Sequence, residues 1–336
     1  MTNMIELYKI YVTRKIDETG LNLLKKKYDV YINKSYISPS KRELAKKVKG
    51  VNAILCTLSE KIDSEIMDAA GDNLKVISTF STGFEHIDLN EASKRGIYVT
   101  NTGNILAEAT ADLTFALILG VGRKIVEGHK YIINNKWKHG WMPNLFVGTN
   151  IFNSTLGILG LGNIGSAVAR RAKAFNMNII YNNRNKLNSK VEKKLGVTFV
   201  DKNYLFRNSD FLSIHVGLQK ENYHLISMNE LKMMKKTSFL INTSRGSVVD
   251  ERSLCIALKK KWISGAGLDV FEIEPIEKNN PLLKKNNVII LPHIGSATRE
   301  TRAKMSKVAA LNISNIFERK LPLYLVNKQI QGLLVK

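Results

Sequence analysis

The stretch Gly157-Ile158-Leu159-Gly160-Leu161-Gly162-Asn163-Ile164-Gly165 limits what this chain can fold into more than any other part of it. Gly160, Gly162 and Gly165 make a G-x-G-x-x-G turn between an apolar run that reads as a strand and an amphipathic run that reads as a helix. In that context the first glycine permits a tight turn, the second lets backbone approach a pyrophosphate, and the third lets helix and strand pack closely. The helix then opens with free N–H groups and the positive end of its dipole facing the phosphates. The turn predicts a dinucleotide site formed by Gly160, Leu161, Gly162, Asn163, Ile164 and Gly165. Its place near the middle of 336 residues leaves a large block ahead of it that must form something else.

The strand after that helix ends Tyr181-Asn182-Asn183-Arg184-Asn185. Asn183 stands where an NAD site usually places an acid to hold the ribose 2'-hydroxyl. With no carboxylate to repel a 2'-phosphate, and with Arg184 able to grip one bidentately, NADP(H) is favoured and NAD(H) remains possible. Asn183, Arg184 and Asn185 are thus candidate cofactor residues.

Strand-like and helix-like runs alternate along the whole chain. Strands are predicted at 8–12, 51–55, 75–78 and 96–100, then at 155–159, 178–181, 211–215, 238–242, 265–269 and 288–291. Such alternation predicts an α/β fold with parallel sheets covered by helices. Long helices are expected at 108–123 and 299–317. The stretch 125–149, with Trp137, Trp141 and Pro143 among polar residues, fits no single regular element. Its tryptophans need burial, either on the same chain or on a partner subunit.

The formal charge of +22 raises nucleic acid or an anionic membrane as a partner. The lysines, however, fall in short runs such as Lys25-Lys26-Lys27 and Lys259-Lys260-Lys261 beside apolar helical patterns, with no tail or aromatic-basic interleaving. We expect a solvated surface and no nucleic-acid or membrane partner, with the charge steering anionic substrates. Cys56 and Cys255 are too few for a disulfide framework or a metal site, so no metal and a reducing, cytoplasmic setting are expected. The apolar stretch 113–121 is too short to span a bilayer, and the first residues lack the order of a signal peptide.

Three segments carry chemistry at strand ends, the edge where such sheets bind ligands: Asn242-Thr243-Ser244-Arg245-Gly246, Asp269 to Pro275, and Pro292-His293-Ile294-Gly295-Ser296. Together they offer a guanidinium, a carboxylate and an imidazole, a set suited to reducing a 2-oxo acid. Arg245 can bind the substrate carboxylate and polarise the ketone. His293 can protonate the developing alkoxide, and Glu274 can orient the imidazole and stabilise its charge.

With these motifs the chain resembles the D-isomer-specific 2-hydroxyacid dehydrogenases over nearly its whole length. It looks most similar to the NADP-dependent glyoxylate/hydroxypyruvate reductases, through 181–185 and Gly265-Ala266-Gly267-Leu268-Asp269-Val270-Phe271. The resemblance implies Arg245, Glu274 and His293 as the catalytic set. It implies Asp269 against the nicotinamide carboxamide and Thr243, Ser244, Arg245, His293 and Gly295 among the cofactor contacts. It implies Ser81, Thr82 and Gly83 in the substrate loop, with Arg245, His293 and a partner subunit's Trp141 also at the substrate. It further implies two Rossmann/flavodoxin-like domains, with a cofactor domain (103–292, dimerisation arm 123–150) inserted in a substrate domain (1–102 and 293–336), and a homodimer. Thr82-Gly83-Phe84-Glu85-His86 departs from the family's usual Val-Gly-Tyr-Asp-Asn, as do Ser244 and Gly217, where alanine and proline are common.

The expected reaction is therefore NADPH-dependent reduction of small 2-oxo acids, glyoxylate and hydroxypyruvate, to 2-hydroxy acids. The alternatives are an NAD-linked D-lactate or 3-phosphoglycerate type, a 2-ketogluconate reductase, and, outside enzymes, a dinucleotide-sensing corepressor.

Overall fold

A computed structural model describes residues 7–35 and 37–334. The chain divides into two compact units, one running to Leu106 and resuming at Ser296, the other formed by Ala107–Gly295 between those segments. His293 and Gly295 thereby fall in the unit that holds the glycine turn.

The first unit is a parallel five-stranded sheet. Its strands are β1 (Lys9–Val12), β2 (Asp29–Ile32), β3 (Ala53–Cys56), β4 (Val76–Thr79) and β5 (Tyr98–Thr100), in the order β2-β1-β3-β4-β5. This is the flavodoxin-like order. The sequence pattern missed β2, whose residues are only partly buried and so do not form an apolar run. β3 and β4 are buried throughout, as central strands covered on both faces must be. Helices α1 (Glu18–Lys25) and α12 (Arg299–Phe317) cover one face through Leu21, Leu24, Met305, Ala309 and Ile313. Helices α2 (Lys41–Lys47), α3 (Ser64–Ala70) and α4 (Leu89–Lys94) cover the other through Leu44, Ile66, Met67 and Ala92. Asp17, Ser40, Asp63 and Asp88 start these helices by accepting first-turn N–H groups.

The second unit is a parallel seven-stranded sheet of β6 (Thr155–Leu159), β7 (Asn178–Asn182), β8 (Thr198–Phe199), β9 (Phe211–Ile214), β10 (Phe239–Asn242), β11 (Gly265–Leu268) and β12 (Val288–Ile290). The order is β12-β11-β10-β9-β6-β7-β8, so the winding reverses between β6 and β9, the place where such sheets bind ligands. Phe239 and Ile241 face one core and Leu240 the other, the period-two alternation of a strand. The first core is closed by α5 (Ala107–Gly122), α7 (Asn163–Ala174) and α8 (Ser189–Leu195). The second is closed by α9 (Lys202–Asn208), α10 (Met228–Met233) and α11 (Glu251–Lys259).

One expectation is corrected. The stretch after residue 124 is not irregular throughout: Ile125–Ile133 forms helix α6, none of whose residues is buried. Val126 packs against the first core, while Ile125, Ile132 and Ile133 are exposed. Among the described residues no helix is long and apolar enough to cross a membrane.

Candidate active site

Gly160 closes β6 with φ +98°, in the left-handed region that side chains rarely adopt. A Cβ there would stand 2.8 Å from the backbone of His215 and Val216, which follow β9. A Cβ on Gly165 would run into the Gly160 carbonyl oxygen, so this glycine sets how closely α7 meets the turn. Gly162 begins α7 without any side-chain cap, and a Cβ on it would meet nothing within 4 Å. An uncapped twelve-residue helix above an open glycine is what a pyrophosphate requires, so these residues fit the dinucleotide. Leu161 is buried, whereas Asn163 is exposed and Ile164 half-buried at the mouth of the helix.

The end of β7 shows how Asn183 is used. Its Oδ1 accepts the Leu161 N–H at 2.6 Å and so ties the second strand to the glycine turn. Arg184 and Asn185 are exposed beyond it, and the Arg184 guanidinium donates to Gln219 Oε1 at 2.9 Å. Gln219 was not anticipated from sequence; nothing in its surroundings there distinguishes it from a surface glutamine.

Arg245, Glu274 and His293 come from the loops after β10, β11 and β12. His293 Nδ1 lies 2.7 Å from Glu274 Oε2, and Glu274 Oε1 accepts the Phe271 N–H at 3.1 Å. Burial pushes the Glu274 carboxyl up, yet the hydrogen bond and charge of His293, the Phe271 N–H and the Arg245 charge together hold it below its ordinary value. Arg245 Nη1 donates to the Ser244 carbonyl at 2.8 Å. His293 sits at φ 55°, an uncommon conformation for a residue with a Cβ.

Asp269 explains how that conformation is held. Its carboxylate is 1% exposed and accepts the Ile294 N–H at 2.8 Å and the Gly295 N–H at 2.7 Å. Burial raises its pKa, opposed by these two N–H groups and by His293. Asp269 therefore fixes the backbone that carries His293, a role the sequence reading did not foresee. The buried Thr243 and Ser244 are likewise engaged within the unit, at Thr114 Oγ1 (2.9 Å) and Asn242 Oδ1 (2.9 Å). Asn242 also donates to the Arg245 carbonyl at 2.9 Å, so this strand-end asparagine shapes the whole turn. A polar residue closing an apolar strand was the available signal for it.

His215 is a further unforeseen neighbour of the glycine turn. It is half-buried, its Nε2 lies 2.8 Å from Ser213 Oγ, and burial drives its pKa down to about 3, so the ring is neutral.

In the other unit, Ser81 is buried with its hydroxyl donating to the Gly83 carbonyl at 2.6 Å. Thr82 Oγ1 donates to the Gly103 carbonyl at 2.5 Å. His86 Nε2 lies 3.1 Å from Thr79 Oγ1, which is 2.7 Å from Ser81 Oγ, so the unusual histidine braces this loop from behind. Trp141 is 83% exposed.

Residues 115–295 match the D-isomer specific 2-hydroxyacid dehydrogenase, NAD binding domain, family. A curated glyoxylate reductase of Thermofilum pendens is 47% identical over 330 residues, covering 96% of this chain and 95% of the relative. The chain belongs to the D-isomer-specific 2-hydroxyacid dehydrogenases. It is an oxidoreductase with an NAD(P)-binding domain, acting on small 2-oxo and 2-hydroxy acids. The structure of a Thermus thermophilus protein superposes with a TM-score of 0.89 at 39% identity, covering 95% of this chain and 99% of that one. An NADPH-dependent glyoxylate/hydroxypyruvate reductase of Sinorhizobium meliloti, solved with NADP and malonate, superposes with a TM-score of 0.82 at 30% identity, covering 95% of this dehydrogenase and 96% of that chain.

Proposed function

We propose that this dehydrogenase reduces glyoxylate and hydroxypyruvate with NADPH. The observation that carries the reading is the contact of His293 with Glu274, on strand-end loops next to the one that bears Arg245 in the sheet order. The Thermofilum glyoxylate reductase and the Sinorhizobium NADPH-dependent enzyme support the substrate class.

NADPH, when bound, supplies the hydride that reduces the keto carbon. The backbone around Gly160, Gly162 and Gly165 holds its pyrophosphate, Arg184 takes the 2'-phosphate, and Asn183, Asn185, Thr243, Ser244, Asp269 and Gly295 complete that wall. Arg245 neutralises the substrate carboxylate and draws electron density from the ketone. His293 gives the alkoxide its proton from Nε2. Glu274 receives the Nδ1–H, which fixes the tautomer and stabilises the ring while it is charged. Ser81, Thr82 and Gly83 are the proposed substrate loop.

We further propose a homodimer. Ile132, Ile133, Trp137 and Trp141 leave 55%, 60%, 53% and 83% of their surface exposed on α6 and the arm behind it, an apolar patch that a second copy would cover. Trp141 would then reach the partner's substrate.

The test is NADPH and NADH oxidation by purified protein with glyoxylate, hydroxypyruvate and 2-ketogluconate, alongside light scattering for the mass. Failure to turn over any of the three with either cofactor would sink the reading.

A further inference from the structure

Two carboxylates of the loop after β11 each face an imidazole. Glu274 faces His293. Two residues earlier, Glu272 Oε1 lies 3.0 Å from His224 Nε2, off the line of a good hydrogen bond, so the contact is ionic when the ring is protonated. His224 is also tied by its backbone to the other side of the site. Its N–H donates to the Ser247 carbonyl at 2.8 Å, and Ile226 pairs with Val248 and Asp250 just beyond. Ser247 lies two residues past Arg245. One residue is thus fixed by main chain to the loop of Arg245 and by side chain to the loop of Glu274.

The surroundings keep it there. His224 sits at φ 50°, a conformation that costs on the order of 1–3 kcal/mol unless neighbours hold it. The Tyr223 ring stacks on its imidazole with centroids 4.0 Å apart. Glu272 and Glu251 form a reciprocal box: the Glu251 N–H donates to Glu272 Oε1 at 2.9 Å, and the Glu272 N–H to Glu251 Oε1 at 2.6 Å. A Cβ on Gly246 would overlap the backbone of Phe271 and Glu272, so the two loops touch directly. Asp250 is the third polar group nearby, but its carboxylate caps α11 by accepting the Arg252 and Ser253 N–H groups and the Ser253 hydroxyl.

We propose that His224 and Glu272 are positioning residues for the reaction: their contact sets the register of the Arg245 loop against the Glu274 loop. Neither touches substrate in this scheme. They act through Arg245 and Glu274, and a displacement of about 1 Å between reacting groups is enough to cost up to a hundredfold in rate. The inference rests on the reading of Arg245, Glu274 and His293 given above.

The experiment is steady-state turnover of glyoxylate with NADPH by wild type, His224→Ala, His224→Gln, Glu272→Gln and the double variant His224→Ala/Glu272→Gln, with NADPH binding and thermal melting measured on each. The expected result is a kcat lowered about tenfold in His224→Ala and in Glu272→Gln, with KM and NADPH Kd near wild type. The double variant is no slower than either single one, because both remove one contact. His224→Gln, which keeps a side-chain N–H, recovers part of the rate. If His224→Ala does not fold, Glu272→Gln carries the test, since it keeps an acceptor for the Glu251 N–H. Wild-type kcat in the single variants, or losses that multiply in the double one, would overturn the proposal. So would a wild-type rate abolished by EDTA and restored by Zn2+, which would make His224, Asp250 and Glu272 a cation site. Inactive wild type would sink both this inference and the reading it rests on, whereas inactive His293→Ala beside unaffected His224→Ala sinks only this one.

Discussion

His293 Nδ1 and Glu274 Oε2 stand 2.7 Å apart, on loops that follow different strands of one sheet. Neither loop would hold this geometry alone. The imidazole is presented from a left-handed backbone that the buried Asp269 grips at the next two N–H groups, while Glu274 is held at its other oxygen by Phe271.

Removing either partner should therefore affect the chemical step more than binding. His293→Ala is expected to lower kcat by about a hundredfold or more, the usual scale for a positioned proton donor. Glu274→Gln keeps the shape and loses the charge, and should lower kcat while leaving the NADPH Kd close to wild type. Single-turnover reduction of glyoxylate measures both; an unchanged rate in His293→Ala would remove it from the mechanism.

The same pair has a pH signature. Glu274 is held below its ordinary value of 4.5 in the folded protein, so the native state binds fewer protons there than the unfolded chain. Its stabilising contribution is then fully present above 4.5 and is lost as pH falls through the lower folded value. Thermal melts from pH 7 down to pH 3 should show wild type losing stability faster than Glu274→Gln across the acid end. Parallel curves would mean that His293 does not stabilise the ionised carboxylate.

Cofactor choice turns on the far end of the glycine turn. Asn183 spends its side-chain oxygen on the Leu161 N–H, and this leaves Arg184 as the charged group beside it. Arg184→Ala should raise the NADPH Michaelis constant about tenfold or more, the scale of losing a charge-assisted pair, and leave NADH little changed. Initial rates with the two cofactors decide it; equal effects would make Arg184 a surface residue tethered to Gln219.

Much of the second unit was legible because its inner strands Phe211–Ile214, Phe239–Asn242 and Gly265–Leu268 are buried throughout and read as mostly apolar runs. The half-exposed β2 and the two-residue β8 were not, since so short or so exposed an edge strand makes too little apolar pattern to stand out, whereas the edge strand β12 keeps three apolar residues. The residue types of the proposed site were visible at the strand ends, but their wiring was not. That Asp269 would turn to the Ile294 and Gly295 N–H groups, or that His224 would face Glu272, depends on how loops far apart in sequence meet. Helix α6 was missed because a tryptophan-containing arm behind it obscured a short periodic run.

Two of the turn's glycines should fail in different ways. Gly160 has φ +98° and no room for a Cβ against His215, so Gly160→Ala combines a strained backbone, on the order of 1–3 kcal/mol, with a clash against main chain. It should melt well below wild type. Gly162 has φ −89° and open space around the position of a Cβ, so Gly162→Ala should melt like wild type. Its new methyl group would nevertheless occupy the place where a pyrophosphate meets the N–H groups of α7, and NADPH binding should weaken by about tenfold or more, the scale of losing hydrogen bonds to a charged group. Calorimetric melts and fluorescence titration of NADPH separate the two effects. If Gly162→Ala binds NADPH as tightly as wild type, the cofactor's phosphates do not sit at the start of α7.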